Sequence, residues 1–497
     1  MTSVIAGRAR ELSLKLTSWP SVTGTAGEAE FPLRLREELR GFDDVWLSPV
    51  PGGTHARQNL FALKRGTSRA TVVLTGHFDV VSADDYGTLP AFDVGALLPA
   101  TIARLKATGE NPKALADFES GEFLPGRGLL DMKAGLAAGL AAAEAYRGEA
   151  NLLFLAVADE ENRSAGARTA VPAVLAATQE RGLEIKLVIN LDAISDQGNG
   201  AKAKVITYGS IGKQLLTAYI VGKQTHAGYP QDGVNAAYIA AEVISALEAN
   251  PAFVDGSDGE TTASPTTLCA KDLKDGYDVT TPSAFWAYWN TMQYHQSGTQ
   301  VLDLARRFAS EALARVKQRT GHSVRLLTFA ELAGRAPGWA ADAMISRIAH
   351  DESLDLPESA KRITEIVWRR SGQVGPVAIL GFGSIPYRAV ACTDAALRKK
   401  IAAAVQPFGI GTLNYFAGIS DMSFFGEANG DLSAVAANTP HWGESFIMPA
   451  AAGLPTINLG PWGRDYHHWL ERLHAPYAFE TLPHALLAVI AAVAKDS

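Results

Sequence analysis

The stretch Thr71-Val-Val-Leu-Thr-Gly76-His77-Phe78-Asp79 constrains this chain most: an apolar run closes on glycine, then presents an imidazole and a carboxylate two residues apart. Apolar residues before Gly76 suit a strand covered on both faces, and the two-residue period carries His77 and Asp79 to one side of it. Such a strand delivers polar groups to the edge of a sheet, so partners are expected at the exits of its neighbours.

Those exits are legible. Apolar runs at 152–158 and 187–191, separated by a helical stretch at 165–177, have the strand, helix, strand rhythm of a parallel sheet. The first closes on Asp159-Glu160-Glu161 and the second on Asp192. Gly126-Arg-Gly-Leu-Leu-Asp131-Met-Lys-Ala-Gly135 leads into an Ala/Leu-rich helix former, which puts Asp131 just before a helix. A last strand, 456–459, exits into Gly460-Pro-Trp-Gly-Arg-Asp-Tyr-His467-His468-Trp-Leu-Glu471. In open α/β sheets the strand exits form the binding crevice. Strands at 59–63 and 70–75 are expected to pair or lie side by side, and Thr25-Ala-Gly-Glu28 fits a capping box opening a helix. Residues 80–125 hold Pro90, Pro99, Pro112 and Pro125 and are expected to be an insertion with its own short helix.

The expected fold class is α/β: a mostly parallel sheet with helices on both faces, plus an inserted α+β domain. That insert, 207–330, has strands at 218–221, 285–290 and 324–329, helices at 235–248 and 301–317, and a loop region at 255–281, a ferredoxin-like pattern. The catalytic domain would be discontinuous, 1–206 and 331–497. With 497 residues and 47% hydrophobic composition there is ample core for this. A net charge of −7 and pI near 5.9 leave no basic field for nucleic acid. Residues 1–10 carry no apolar core of signal-peptide length, and the Ala-rich run 485–494 is too short to span a bilayer. Cys269 and Cys392 lack metal or redox spacing and read as reduced thiols. A soluble cytoplasmic protein is expected, without membrane or nucleic-acid partners. Gly381-Phe-Gly383 is no dinucleotide loop, because Pro386 takes the third glycine position.

Five candidate ligands accumulate: His77, Asp131, Glu161, Asp192 and His467. An imidazole and carboxylate set suits zinc or another borderline divalent ion better than calcium. If one carboxylate bridges, five side chains give two ions three protein ligands each, with a shared position open for water. Each residue has a plainer use: Glu160 and Glu161 as charge at a helix start, Asp131 as an N-cap, His77 as a satisfied core histidine. Convergence of so many strand exits on the same chemistry favours the metal.

In these motifs the chain resembles the dinuclear-zinc metallopeptidases and amidohydrolases that include acetylornithine deacetylase, succinyl-diaminopimelate desuccinylase, aminoacylase and glutamate carboxypeptidase. The carrying residues are Gly76-His-Phe-Asp79, the Asp131 motif, Asp159-Glu-Glu161, Thr225-His226-Ala-Gly-Tyr-Pro230 and Gly463-Arg-Asp-Tyr-His467. Asp85-Tyr-Gly87, Glu119-Ser-Gly-Glu122 and Ile419-Ser-Asp421 are most similar to the arginine-utilisation protein branch, and so to arginine metabolism. The resemblance implies that His77 and Asp192 hold one Zn2+, Glu161 and His467 the other, and Asp131 bridges, with Co2+ or Mn2+ as alternatives. It implies that Asp79 orients His77, that Glu160 is the general base, and that His226 stabilises the oxyanion. It also implies a cis Asp131–Met132 peptide and a homodimer through the inserted lid. His468 and His474 compete with His467; the family spacing to Glu471 selects His467. Met292 stands where many relatives carry a carboxylate-binding arginine. The implied reaction is hydrolysis of an amide or peptide bond in a small N-acyl amino acid. The alternatives are a dipeptidase or carboxypeptidase-type exopeptidase acting on a dipeptide-like substrate, and a non-catalytic metal-binding member.

Overall fold

The computed structural model describes residues 2–257, 259–416, 418–428 and 430–494. The chain forms two compact units. The first takes the residues up to Ser210, Ala391–Ala428 and the chain from Pro449 onward; the second takes Ile211–Val390 and a segment ending at Met448.

The first unit is built on an eight-stranded sheet in the order Asp44–Pro49, Gln58–Lys64, Asn151–Val157, Ala70–His77, Glu184–Asn190, Thr456–Asn458, Val205–Thr207, Gly411–Leu413. From Asn151–Val157 to Thr456–Asn458 the strands run parallel; antiparallel pairs flank them. Every residue of Ala70–His77 and Asn151–Val157 is buried, so both faces of the central strands are covered, as a continuous apolar run requires. Val72, Leu74, Phe154 and Ile189 share a core with helices Ala134–Ala145 and Leu482–Ala494. The strands Gln58–Lys64 and Ala70–His77, expected to be neighbours, are separated by Asn151–Val157. Local pattern identifies strands, but pairing order is settled by which crossover the intervening helix allows. Helix Ala26–Glu38 starts where expected, yet Thr25 makes no cap: Glu28 turns inward, is fully buried and accepts from the Gly24 N–H at 2.6 Å. The last helix is longer than 485–494 suggested. With the turn before it, Tyr477–Ala494 is long and apolar enough by composition to cross a membrane, and 56% of it is buried inside the fold.

The second unit carries a five-stranded sheet, ordered Thr266–Asp272, Ala284–Gln293, Gly212–Val221, Val377–Phe382, Arg325–Thr328. Without Val377–Phe382 this is the ferredoxin-like order. That strand inserts between Gly212–Val221 and Arg325–Thr328, antiparallel to the first and parallel to the second. The unit therefore extends past 330, and the strand expected near 378–380 belongs to it rather than to the catalytic domain. Helices Ala236–Leu247 and Gly298–Thr320 cover one face, while Leu356–Arg370 and its neighbours pack Ile363 and Val367 against Tyr219, Trp286 and Ile379. Thr266–Asp272 lies within the stretch read as loop; it is an edge strand with alternating exposure and little apolar content to betray it.

Candidate metal centre

His77 ends its strand fully enclosed. Gly76 beside it makes room for the buried Met132 side chain, whose Cε a Cβ there would meet at 2.1 Å. The ring's Nδ1 lies 2.9 Å from the backbone carbonyl of Asp79, an arrangement that places the proton on Nδ1 and leaves Nε2 as the electron-pair donor. Nε2 stands 3.2 Å from Asp131 Oδ1, 3.9 Å from Glu160 Oε2 and 4.0 Å from Asp192 Oδ1.

The Asp79 carboxylate stands 3.7 Å from His77 Nδ1 through Oδ1, and its hydrogen bonds go to other groups. Its Oδ1 accepts from the Glu160 N–H at 3.0 Å and its Oδ2 from the Glu161 N–H at 3.2 Å and the Thr23 hydroxyl at 2.8 Å. The main chain of Asp79 holds His77, and the side chain holds the turn that bears both glutamates. The two-residue spacing predicts a carboxylate contact to His77 rather than this main-chain one, and the contact to the glutamate turn depends on a neighbouring strand about 80 residues away.

Asp131 sits in a tight turn, Leu129–Lys133, ahead of helix Ala134–Ala145, and its peptide bond to Met132 is cis. It is not the helix cap; that position is Lys133. Its two carboxylate oxygens face two different histidines, Oδ1 toward His77 and Oδ2 toward His467 Nε2, each at 3.2 Å. Glu161 Oε2 is also 3.2 Å from His467 Nε2. The helix-start duty open to Glu160 and Glu161 falls instead to Asp159, whose side chain accepts from the Ala165 N–H at 3.1 Å. Asp192 is placed by Asn458, whose side-chain oxygen accepts the Asp192 N–H at 3.1 Å. Three overlapping groups result, each with ligand atoms mutually within 4.8 Å: His77, Asp131 and Asp192; His77, Glu160 and Glu161; Asp131, Glu161 and His467.

The competing histidines lie elsewhere. His468 accepts from the Leu470 N–H at 3.2 Å, and His474 packs on Phe123 and Trp462, where burial pushes it down to about 4. His226 belongs to the second unit, where it is exposed and its Nδ1 accepts from the Gly228 N–H at 3.0 Å. Met292, in the same unit, is in register with Lys213, so a cation shares its face of the sheet.

Among the described residues, the cationic partners of Asp131, Glu160, Glu161 and Asp192 within ion-pair distance are His77 and His467, with no lysine or arginine. Burial, reinforced by the charge of Asp131, pushes Asp192 up to about 8. Burial likewise lifts Glu160 well above the carboxylate range against the pull of His77. Burial opposes a charged His467, but hydrogen bonds to Asp131 and Glu161 raise it to about 10. Asp421, which sequence motifs marked only as a branch feature, is a further buried carboxyl whose charge adds to those on Glu160 and Asp192. A buried excess of carboxylate whose basic partners within ion-pair distance, among the described residues, are imidazoles alone is a donor set that divalent metal ions complete.

Fold and cluster together define a metal-dependent hydrolase. Residues 73–439 match Peptidase family M20/M25/M40, and the chain belongs to that family. It is 32% identical to protein YqjN of Bacillus subtilis, over 98% of this chain and 96% of that one, and 26% identical to protein RocB of the same organism, over 96% and 93%. It is 27% identical to the succinyl-diaminopimelate desuccinylase of Nitratiruptor over 54% of its length. Among solved structures, a tripeptidase from Staphylococcus aureus covers 99% of both chains with a TM-score of 0.56 at 17% identity. An M20 family metallo-carboxypeptidase from Sulfolobus solfataricus covers 98% of this chain and 99% of that one with a TM-score of 0.56 at 13% identity. The chain is a hydrolytic enzyme of this peptidase family.

Proposed function

We propose that the enzyme cleaves the amide bond of a small N-acyl amino acid or related amide at a dinuclear site, zinc in the first instance and cobalt or manganese as substitutes. The observation that carries this is Asp131 between two histidines, one carboxylate oxygen toward each. His77 and Asp192 would hold one ion and Glu161 and His467 the other, with Asp131 shared. A bound pair of this kind supplies an acidified water and polarises the scissile carbonyl. Glu160 lies in the same cluster, 3.9 Å from His77, and is left over from the ligand set. Its carboxylate takes the proton from the attacking water and returns it to the leaving amine, and burial that raises its pKa suits it to both transfers. Asp79 keeps Glu160 in place through the backbone. The resemblance assigns oxyanion stabilisation to His226: with Nδ1 accepting, its Nε2 carries the proton of the neutral ring.

The exopeptidase reading, on dipeptides, draws on the solved peptidases of like fold. A panel of N-acyl amino acids against dipeptides separates the two. If neither class is hydrolysed by metal-loaded enzyme, and Glu160→Gln matches wild type, the amidohydrolase reading fails and the non-catalytic alternative stands. A role in arginine metabolism rests on the motif resemblance to the arginine-utilisation branch, a homodimer through the inserted domain on the family resemblance, and a cytoplasmic location on the sequence reading of residues 1–10 and 485–494 together with the free cysteines Cys269 and Cys392.

A further inference from the structure

Residues 82–122, between the first ligand strand and the Asp131 turn, contribute nothing to the three ligand groups. Two of their acids nevertheless close ion networks that end on ligand-bearing turns. Asp85 accepts from Arg127 Nη2 at 2.9 Å; the same guanidinium donates through Nη1 to Glu471 Oε2 at 2.8 Å and through Nε to the Ser82 carbonyl at 3.1 Å. Glu471 is fully buried, and its Oε1 accepts the backbone N–H groups of Leu130 at 3.1 Å and Asp131 at 3.4 Å. The chain from Asp85 thus reaches the main chain of the shared aspartate.

Asp117, on helix Pro112–Glu119, stands between two arginines. Arg464 Nη1 reaches both of its oxygens and Arg472 Nε donates to Oδ2 at 2.7 Å. Arg464 and Arg472 face each other in an antiparallel pair and so mark the two ends of the loop that carries His467. Arg472 also grips the Asp465 carboxylate. Asp465 and His467 both adopt positive φ, 53° and 63°, a left-handed conformation uncommon outside glycine and best tolerated by Asp, Asn and His. Charge-assisted hydrogen bonds from both arginines to the largely buried Asp117 carboxylate tie the two ends of this loop together.

We propose that residues 82–122 are a brace: through Asp117 and Asp85 they hold the turns bearing His467 and Asp131, and so set the affinity of the centre for metal. The inference rests on the two-metal reading of the site. Asp85 and Asp117 are positioning residues that act through arginines; contacts made directly to a ligand are worth about 10- to 100-fold in metal affinity, which bounds the effect from above.

The test is a titration of full-length apoprotein with Co2+, followed by calorimetry and visible absorption. Wild type binding fewer than two equivalents overturns the two-metal reading itself, whatever the brace does. Given two equivalents, Asp117→Asn is expected to bind one of them about tenfold more weakly with an altered absorption band, the other within about twofold. Asp85→Asn is expected to weaken both, because Asp131 faces both histidines. Glu119→Gln, which breaks an exposed ion pair to Lys106 in the same segment, is expected to change neither. Wild-type affinities and spectrum in Asp117→Asn, or equal weakening in Glu119→Gln, overturn the brace. Should Asp117→Asn fail to fold, Arg464→Lys, which keeps the charge and loses the fork, carries the same expectation and the same refutation.

Discussion

Single side chains at the centre divide their work in ways that variants can separate. His77 meets the cluster through Nε2, so His77→Ala should lose about one metal equivalent, measured by elemental analysis. Asp79→Asn should keep that equivalent, because the ring is held by a backbone carbonyl. It should lower kcat by about 10- to 100-fold, since one amide replaces the carboxylate that accepts from both Glu160 and Glu161. Equal metal loss in the two variants would refute that division. Glu160→Gln is expected to cost about 10²- to 10⁴-fold in kcat with metal content unchanged. The acid–base signs run together: Asp192 and His467 both have folded pKa values raised, to about 8 and about 10, so each contributes stability that is present below its unfolded value and lost as pH rises through its folded one. Apoprotein should therefore melt at lower temperature at pH 8.5 than at pH 6, a span that crosses the folded value of Asp192 and leaves the unfolded value of His467 behind, whereas added metal, which favours deprotonated ligands, should raise Tm more at the higher pH. A Tm gain on metal addition that shrinks with pH would contradict this.

At the level of elements, the strand exits do the positioning and the segments between them set its quality. Gly76→Ala brings a methyl group onto the buried Met132 side chain and is expected to cost about 1–3 kcal/mol of stability by urea unfolding, with metal affinity falling as the adjoining Asp131 turn shifts. In the second unit, Val377–Phe382 completes the sheet from outside the ferredoxin-like order. Leu380 is fully buried in the core with helices Ala236–Leu247 and Gly298–Thr320, and Leu380→Ala should cost about 2–5 kcal/mol there while metal affinity is unchanged. The missed strand Thr266–Asp272 and the misplaced Val377–Phe382 have one cause: each is defined by its partner rather than by its own periodicity.

For the whole molecule, all the clustered ligands fall in the first unit, though they come from stretches as far apart as His77 and His467. Calorimetry should accordingly show a transition that chelation lowers and metal restores, alongside one indifferent to both. Equal displacement of every transition would count against ligands confined to one unit. What the sequence determined by itself was local chemistry: apolar runs that must be strands, their polar exits, and imidazole and carboxylate in a metal-binding ratio. His77, Asp131, Glu161 and Asp192 could be proposed as candidates because periodicity and side-chain type are carried by adjacent residues, whereas the choice of His467 over His468 and His474 and the role given to Glu160 came from the family resemblance. Tertiary structure alone decided the order of the sheet, the extra strand of the second unit, the Asp79 contact to the glutamate turn, and the ties from Asp85 and Asp117 to the loops around the centre. These depend on hydrogen bonds and ion pairs between residues tens to hundreds of positions apart, such as Asp117 and Arg472, and no local pattern encodes which of many compatible partners folding brings within reach.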